Sequence, residues 1–148
     1  MALSHRSLAG AALATVALAA CGSKPAPTPE EQVRATLSQL ADATAKKDYK
    51  ALCTRILAPD LVEQVTAIGL PCEVALRRGL EGVNQPRLRV GRVRVTKKDR
   101  ASAEVSTSAA GQEPSRDVVE LVKVKAGWRV SSLAGQGPPS PTPAPDEP

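Results

Sequence analysis

Arg87-Leu88-Arg89-Val90-Gly91-Arg92-Val93-Arg94-Val95 alternates charged and aliphatic residues, slips by one position at Gly91-Arg92, and then alternates again. A period of two marks a strand with one buried face. A glycine at a one-residue slip within such a run predicts a β-bulge. Downstream the period persists. Lys98-Asp99-Arg100 reads as a turn, and Ala101, Ala103, Val105 and Thr107 alternate with polar residues as a second strand. Gly111 to Ser115 makes the next turn. Asp117 to Lys125 is a third strand centred on Val119, Leu121 and Val122, and Ala126-Gly127 turns into a fourth, Trp128 to Leu133.

Upstream of Gly82 the period is 3.6 instead. Thr28-Pro29-Glu30-Glu31 combines an N-cap threonine, a proline at the first helical position and a glutamate that completes a capping box. Val33, Leu37, Leu40, Ala41 and Thr44 then follow as one helical face, and Lys46 and Lys47 suit the negative end of the helix dipole. Asp48 is placed to cap a short second helix with Tyr49, Leu52, Cys53, Ile56 and Leu57. Pro59-Asp60 restarts the chain before Leu61, Val62, Val65 and Ile68. Pro71 opens a further segment with Cys72, Val74, Ala75, Leu76 and Leu80, ended by Gly79 or Gly82. Helices first and then an antiparallel meander predict an α+β fold.

The N-terminus has the three parts of a secretory signal. His5 and Arg6 make a weakly positive start, Leu8 to Ala20 is apolar apart from Gly10 and Thr15, and small residues precede Cys21. The apolar run is far shorter than the ~20 residues that span a bilayer. Leu18-Ala19-Ala20-Cys21 resembles the lipobox of bacterial lipoproteins. That resemblance implies export, lipidation of the Cys21 sulfur (the diacylglyceryl chains, typically with palmitate), cleavage before Cys21, and tethering at the extracytoplasmic face of the cell membrane. The alternative is an ordinary secretory signal with a chance cysteine after its cleavage site.

The expected organisation is a lipoprotein signal peptide over 1–20, a tether over 21–28, one domain over 29–134 and a disordered tail over 135–148. Gly135 to Pro148 holds six prolines and almost nothing apolar, too little to form a core. Removing 1–20 takes away Arg6, so the formal charge falls from +5 to +4. With Cys21 lipidated, Cys53 and Cys72 remain, and an even pair in an exported chain reads as a disulfide. Two free buried thiols are the alternative. A staple suits a chain with no Phe, one Trp and one Tyr, whose core must be Val, Leu, Ile and Ala.

Three segments taken together resemble a known family: Lys47-Asp48-Tyr49-Lys50-Ala51-Leu52-Cys53 after a long first helix, Pro71-Cys72-Glu73-Val74-Ala75-Leu76, and a closing Gly127-Trp128-Arg129-Val130-Ser131-Ser132-Leu133. They look like the NTF2-like superfamily, and more closely the small NTF2-like lipoproteins of high-GC Gram-positive (actinobacterial) bacteria. The resemblance implies a cone, a curved antiparallel sheet of about four strands packed on N-terminal helices with a pocket at its wide end. It also implies that Cys53 and Cys72 match the family's two helix cysteines and that Trp128 packs at the closing strand. Fold does not fix function, because such domains include isomerases, dehydratases, ligand binders and structural modules.

The residues offer little chemistry. His5 is the sole histidine and leaves with the signal, which removes the commonest general base and metal ligand from the mature chain. Two cysteines without a histidine partner make no zinc site, so no metal and no cofactor are expected. Asp42, Asp48, Asp60 and Glu73 are the candidate acids, with Tyr49 as a donor. Asp48 and Asp60 read as helix caps, Glu73 as a first-turn residue, Tyr49 as core and Asp42 as surface. No catalytic residue is assigned.

Arg87, Arg89, Arg92 and Arg94, with Lys97, Lys98 and Arg100, form a basic strand face. Nucleic acid is not an expected partner, since aromatic stacking platforms are missing. Anionic headgroups or wall polymer are candidate contacts for the four arginines. A solvated face whose charges discourage edge pairing is the plainer reading. The expectation is a lipid-anchored, non-catalytic binding or interaction module at the cell envelope, taking an unknown protein or a small apolar ligand. Two alternatives stand beside it. One is an isomerase- or dehydratase-type enzyme using a cavity carboxylate, and the other is a structural spacer that touches anionic envelope polymers through the basic strand.

Overall fold

The computed structural model describes residues 25–132. Helix α1 (Pro29–Ala45) begins with the full capping box. The Glu31 amide donates to Thr28 Oγ1 at 3.2 Å, and the Thr28 amide donates to Glu31 Oε2 at 2.7 Å. Its buried residues are Val33, Thr36, Leu37, Leu40 and Ala43. Ala41 and Thr44, expected in the buried stripe, are only half-buried. The stripe includes Thr36 because the Thr36 hydroxyl can donate to Gln32 O of its own helix at 3.1 Å while facing Trp128 O at 3.4 Å.

Lys47 takes a positive φ of 55° and reverses the chain after α1. Asp48 then caps α2 (Tyr49–Ala51), its Oδ1 accepting from the Ala51 amide at 2.9 Å. The helix continues as a π-helical turn, Leu52–Ile56, closed by Leu57 N donating to Leu52 O at 2.9 Å. The looser turn leaves backbone carbonyls for other partners. Arg129 supplies one, its Nη1 donating to Thr54 O at 2.8 Å.

Helix α3 (Pro59–Thr66) follows, with Ala58 rather than Asp60 at the N-cap and no side-chain cap bond. Pro59 takes the first helical position, so Asp60 falls inside the first turn. It serves the dipole there and does not cap. Helix α4 (Cys72–Gly79) carries Glu73 in its first turn and Arg77 and Arg78 in its last. Cys53 and Cys72 lie at disulfide-bonding distance, with S–S 1.95 Å and Cα atoms 6.1 Å apart, so α4 is tied to the π-helical turn.

The strands are β1 (Arg87–Lys97), β2 (Arg100–Ser108), β3 (Ser115–Val124) and β4 (Gly127–Ser132), an antiparallel sheet in sequence order. The β1–β2 register slips between Val90 and Val93, where the repeat break places a bulge. Gly91 fits because a Cβ there would stand 3.3 Å from Glu104 O. Arg34 of α1 reaches the bulge, its Nη2 donating to Gly91 O at 2.8 Å. Leu57 forms a parallel bridge with Val130, and Ala58 N donates to Val130 O at 2.7 Å, so the segment before α3 covers part of the β4 edge.

All the helices lie on one face of the sheet. The close backbone contacts of α1 are with the edge strands β1 and β4, so the sheet is bowed around the helix. Val33, Leu37, Leu52, Leu61, Leu121, Trp128 and Val130 meet in a single aliphatic core with Ala101 and Ala103 at the centre of the sheet. Trp128 is its one aromatic member, and its buried Nε1 has no hydrogen-bond partner. Among the described residues no helix is long and apolar enough to cross a membrane.

The α+β class and the four-stranded meander match the expectation, but the NTF2-like name needs correction. The closing Gly-Trp-Arg-Val segment has a local explanation. Gly127 sits at φ 114° in a tight turn, and Trp128 and Val130 face inward on any strand that closes a meander against helices. Such a segment reports a turn and a buried strand face, which many unrelated sheets require.

Candidate functional site

The bow of the sheet leaves a space that the helices do not fill. A cavity of about 500 Å³ opens between α1, the π-helical turn, α4 and the ends of β1, β2 and β3. Its interior is aliphatic: Leu40 from α1, Leu52 and Leu57 from the π-helical turn and its end, Leu76 from α4 and Leu80 from its C-cap, and Leu88, Val105 and Val119 from the sheet. This volume lies in the range of roughly 300–1,000 Å³ typical of small-molecule sites, which pair an apolar lining with a few placed polar groups.

The polar groups gather where the β2–β3 hairpin meets the cavity. Thr107 at the end of β2 and Ser115 at the start of β3 are directly paired across the ladder. Their hydroxyl oxygens lie 2.7 Å apart, and the Ser115 hydroxyl donates to Asp117 Oδ2 at 2.6 Å. Ser115 has one proton and gives it to Asp117, so Thr107 is the donor in the first of these bonds. Glu113 and Gln112 from the turn and Arg87 from β1 complete the rim. The turn is fixed to the α4–β1 connection by Ala110 N donating to Asn84 O at 2.8 Å.

None of the acids singled out from the sequence lines this cavity. Asp42 and Asp48 border a separate shallow hollow with Lys46 and Arg55. Asp60 and Glu73 occupy helix first turns. Tyr49 is half-buried against the core, with the Arg77 guanidinium 5.8 Å from its ring centre. Sequence reasoning missed Asp117 and Thr107, although the signal was present. On a period of two, Asp117 shares a strand face with Val119 and Leu121, and Thr107 shares one with Val105 and Ala103. A carboxylate in phase with buried aliphatics is the pattern to look for.

Arg87, Arg89, Arg92 and Arg94 are all exposed on the edge strand β1. Across the ladder Arg87, Arg89 and Arg94 face Ser108, Ser106 and Ser102, while Arg92 lies in the bulge opposite the Glu104 position. Among the described residues no group of three His, Cys, Asp or Glu is placed to hold a metal ion. Cys21, the expected signal over 1–20 and the expected tail over 135–148 lie outside the described residues, as does Leu133.

No family model and no curated protein matches this chain. Among solved structures it is similar to the solution structure of a SEC-C motif-containing protein from Rhodopseudomonas palustris. The likeness covers 70% of this chain and 75% of that one at 18% identity, with a TM-score of 0.46. The expected NTF2-like cone is corrected to what the described residues show, an α+β fold with helices packed on a four-stranded antiparallel meander.

Proposed function

We propose that this chain is an exported, lipid-anchored binding module that holds a small apolar ligand at the outer face of the cell membrane. The observation that carries the binding part is the open aliphatic cavity beneath the β2–β3 hairpin. A chain this short of aromatic residues would ordinarily close its core completely, because a void forfeits dispersion contacts on every wall. Leaving leucine and valine side chains around an open volume is consistent with a ligand that supplies the missing contacts. The lipid anchor rests on Leu18-Ala19-Ala20-Cys21 behind the short apolar run, and on the need for more than one acyl chain for stable attachment.

Two experiments test this reading. Binding of decanol to the full chain in detergent-free buffer, measured by calorimetry, is expected to be saturable and one-to-one. It is expected to be lost in Ala41→Phe, which fills the cavity from α1 with the melt kept. Unsaturable uptake, or binding that survives the filled cavity, overturns the binding module. Cys21→Ala is expected to move the protein from the membrane to the soluble fraction, and continued membrane residence overturns the anchor.

A further inference from the structure

The rim of the cavity has a chemical polarity that its volume alone does not show. Both hydroxyl protons at the β2–β3 end are committed in one direction, from Thr107 to Ser115 and from Ser115 to Asp117 Oδ2 at 2.6 Å. What the relay presents to a ligand is therefore lone pairs, three on the two hydroxyls and those remaining on the carboxylate. Its donors are spent. A second carboxylate, Glu113, lies on the same rim, so two negative groups stand against one guanidinium, Arg87. Asp117 is half-buried and in register with Val105, beside the apolar interior and not out in solvent.

We infer that the ligand is a single-chain amphiphile with an ammonium head, its chain in the aliphatic interior and its head on Asp117 and the Ser115–Thr107 pair. An ammonium brings three donors and a positive charge to a rim that offers acceptors and a negative excess. A carboxylate-headed chain of the same length meets a rim with its hydroxyl donors already used and two like charges nearby. The inference rests on the proposed binding function and specifies the head group that the cavity selects.

The test compares three probes that share one chain: decylamine, decanol and decanoate. Each is titrated calorimetrically below its micelle concentration into the full chain in detergent-free buffer at neutral pH. Decylamine is expected to bind roughly tenfold more tightly than decanol, the scale of a hydrogen bond to a charged group, and decanoate more weakly than decanol. Asp117→Asn is expected to remove most of the preference for decylamine over decanol. Equal affinities for all three probes, a preference for decanoate, or an amine preference that survives Asp117→Asn overturns the head-group assignment while leaving cavity binding intact. Failure of decanol itself to bind removes the proposed function and the assignment together. The wild-type comparison decides the sign of the preference even if the variant fails to fold.

Discussion

Reducing the Cys53–Cys72 pair is expected to lower the melting temperature by roughly 12 °C, for a reason that can be worked from chain length. The two cysteines are 19 residues apart, so the bond closes a loop of about 20 residues in the unfolded chain. The chain-entropy relation gives about 11 cal/mol/K for such a loop, or about 3 kcal/mol at 25 °C. For a domain near 100 residues, each kcal/mol moves the midpoint by about 4 °C. The folded state should survive the loss, because neither cysteine belongs to the central cluster of Val33, Leu37, Leu61, Leu121 and Val130. The change concentrates in α4, whose Leu76 and C-cap Leu80 are only partly buried against that cluster. Thermal melts followed by circular dichroism, with and without reductant, measure the shift, and Cys53→Ala/Cys72→Ala should reproduce the reduced value. Trypsin should also cut faster after Arg77 and Arg78, both exposed in the last turn of α4. Equal midpoints in both conditions would refute the loop-closure reasoning. A large shift without faster cleavage in α4 would refute its localisation.

Other consequences are simpler. Leu37→Ala removes a fully buried side chain at the centre of the core and is expected to cost about 2–5 kcal/mol in urea unfolding, with an unchanged m-value. Thr28→Ala removes the hydroxyl that accepts from the Glu31 amide in the capping box and is expected to cost about 1 kcal/mol, read from the same unfolding curves. Arg34→Ala frees the Gly91 carbonyl at the bulge and is expected to cost roughly 1 kcal/mol, since the bond is exposed and water replaces part of it. Hydrogen exchange should then quicken in β1 before it does in β3.

Local chemistry wrote much of this molecule into its sequence. The capping box at Thr28, the Asp48 cap, the bulge at Gly91 and the four strands all follow from contacts within a few residues. Such contacts leave periodic or positional marks that can be read directly. The π-helical turn at Leu52–Ile56 leaves no such mark, because one extra residue per turn is decided by what packs against it, here Arg129 on the Thr54 carbonyl and the Cys72 sulfur on Cys53. The expectation of an NTF2-like cone has a related cause, since a turn glycine and a buried Trp-x-Val meet needs common to many sheets.

The cavity is the plainest case of what only tertiary structure decides. Leu40, Leu52, Leu76, Leu88 and Val119 are each ordinary apolar positions in their own elements. Whether they touch one another or border a void depends on the bow of the sheet and the stand-off of α1, which are set by packing over the whole domain. Asp117 could be placed on the inward face of β3 by alternation alone. Its role depends on Ser115 and Thr107 arriving beside it through the β2–β3 register, a long-range choice that no single strand encodes.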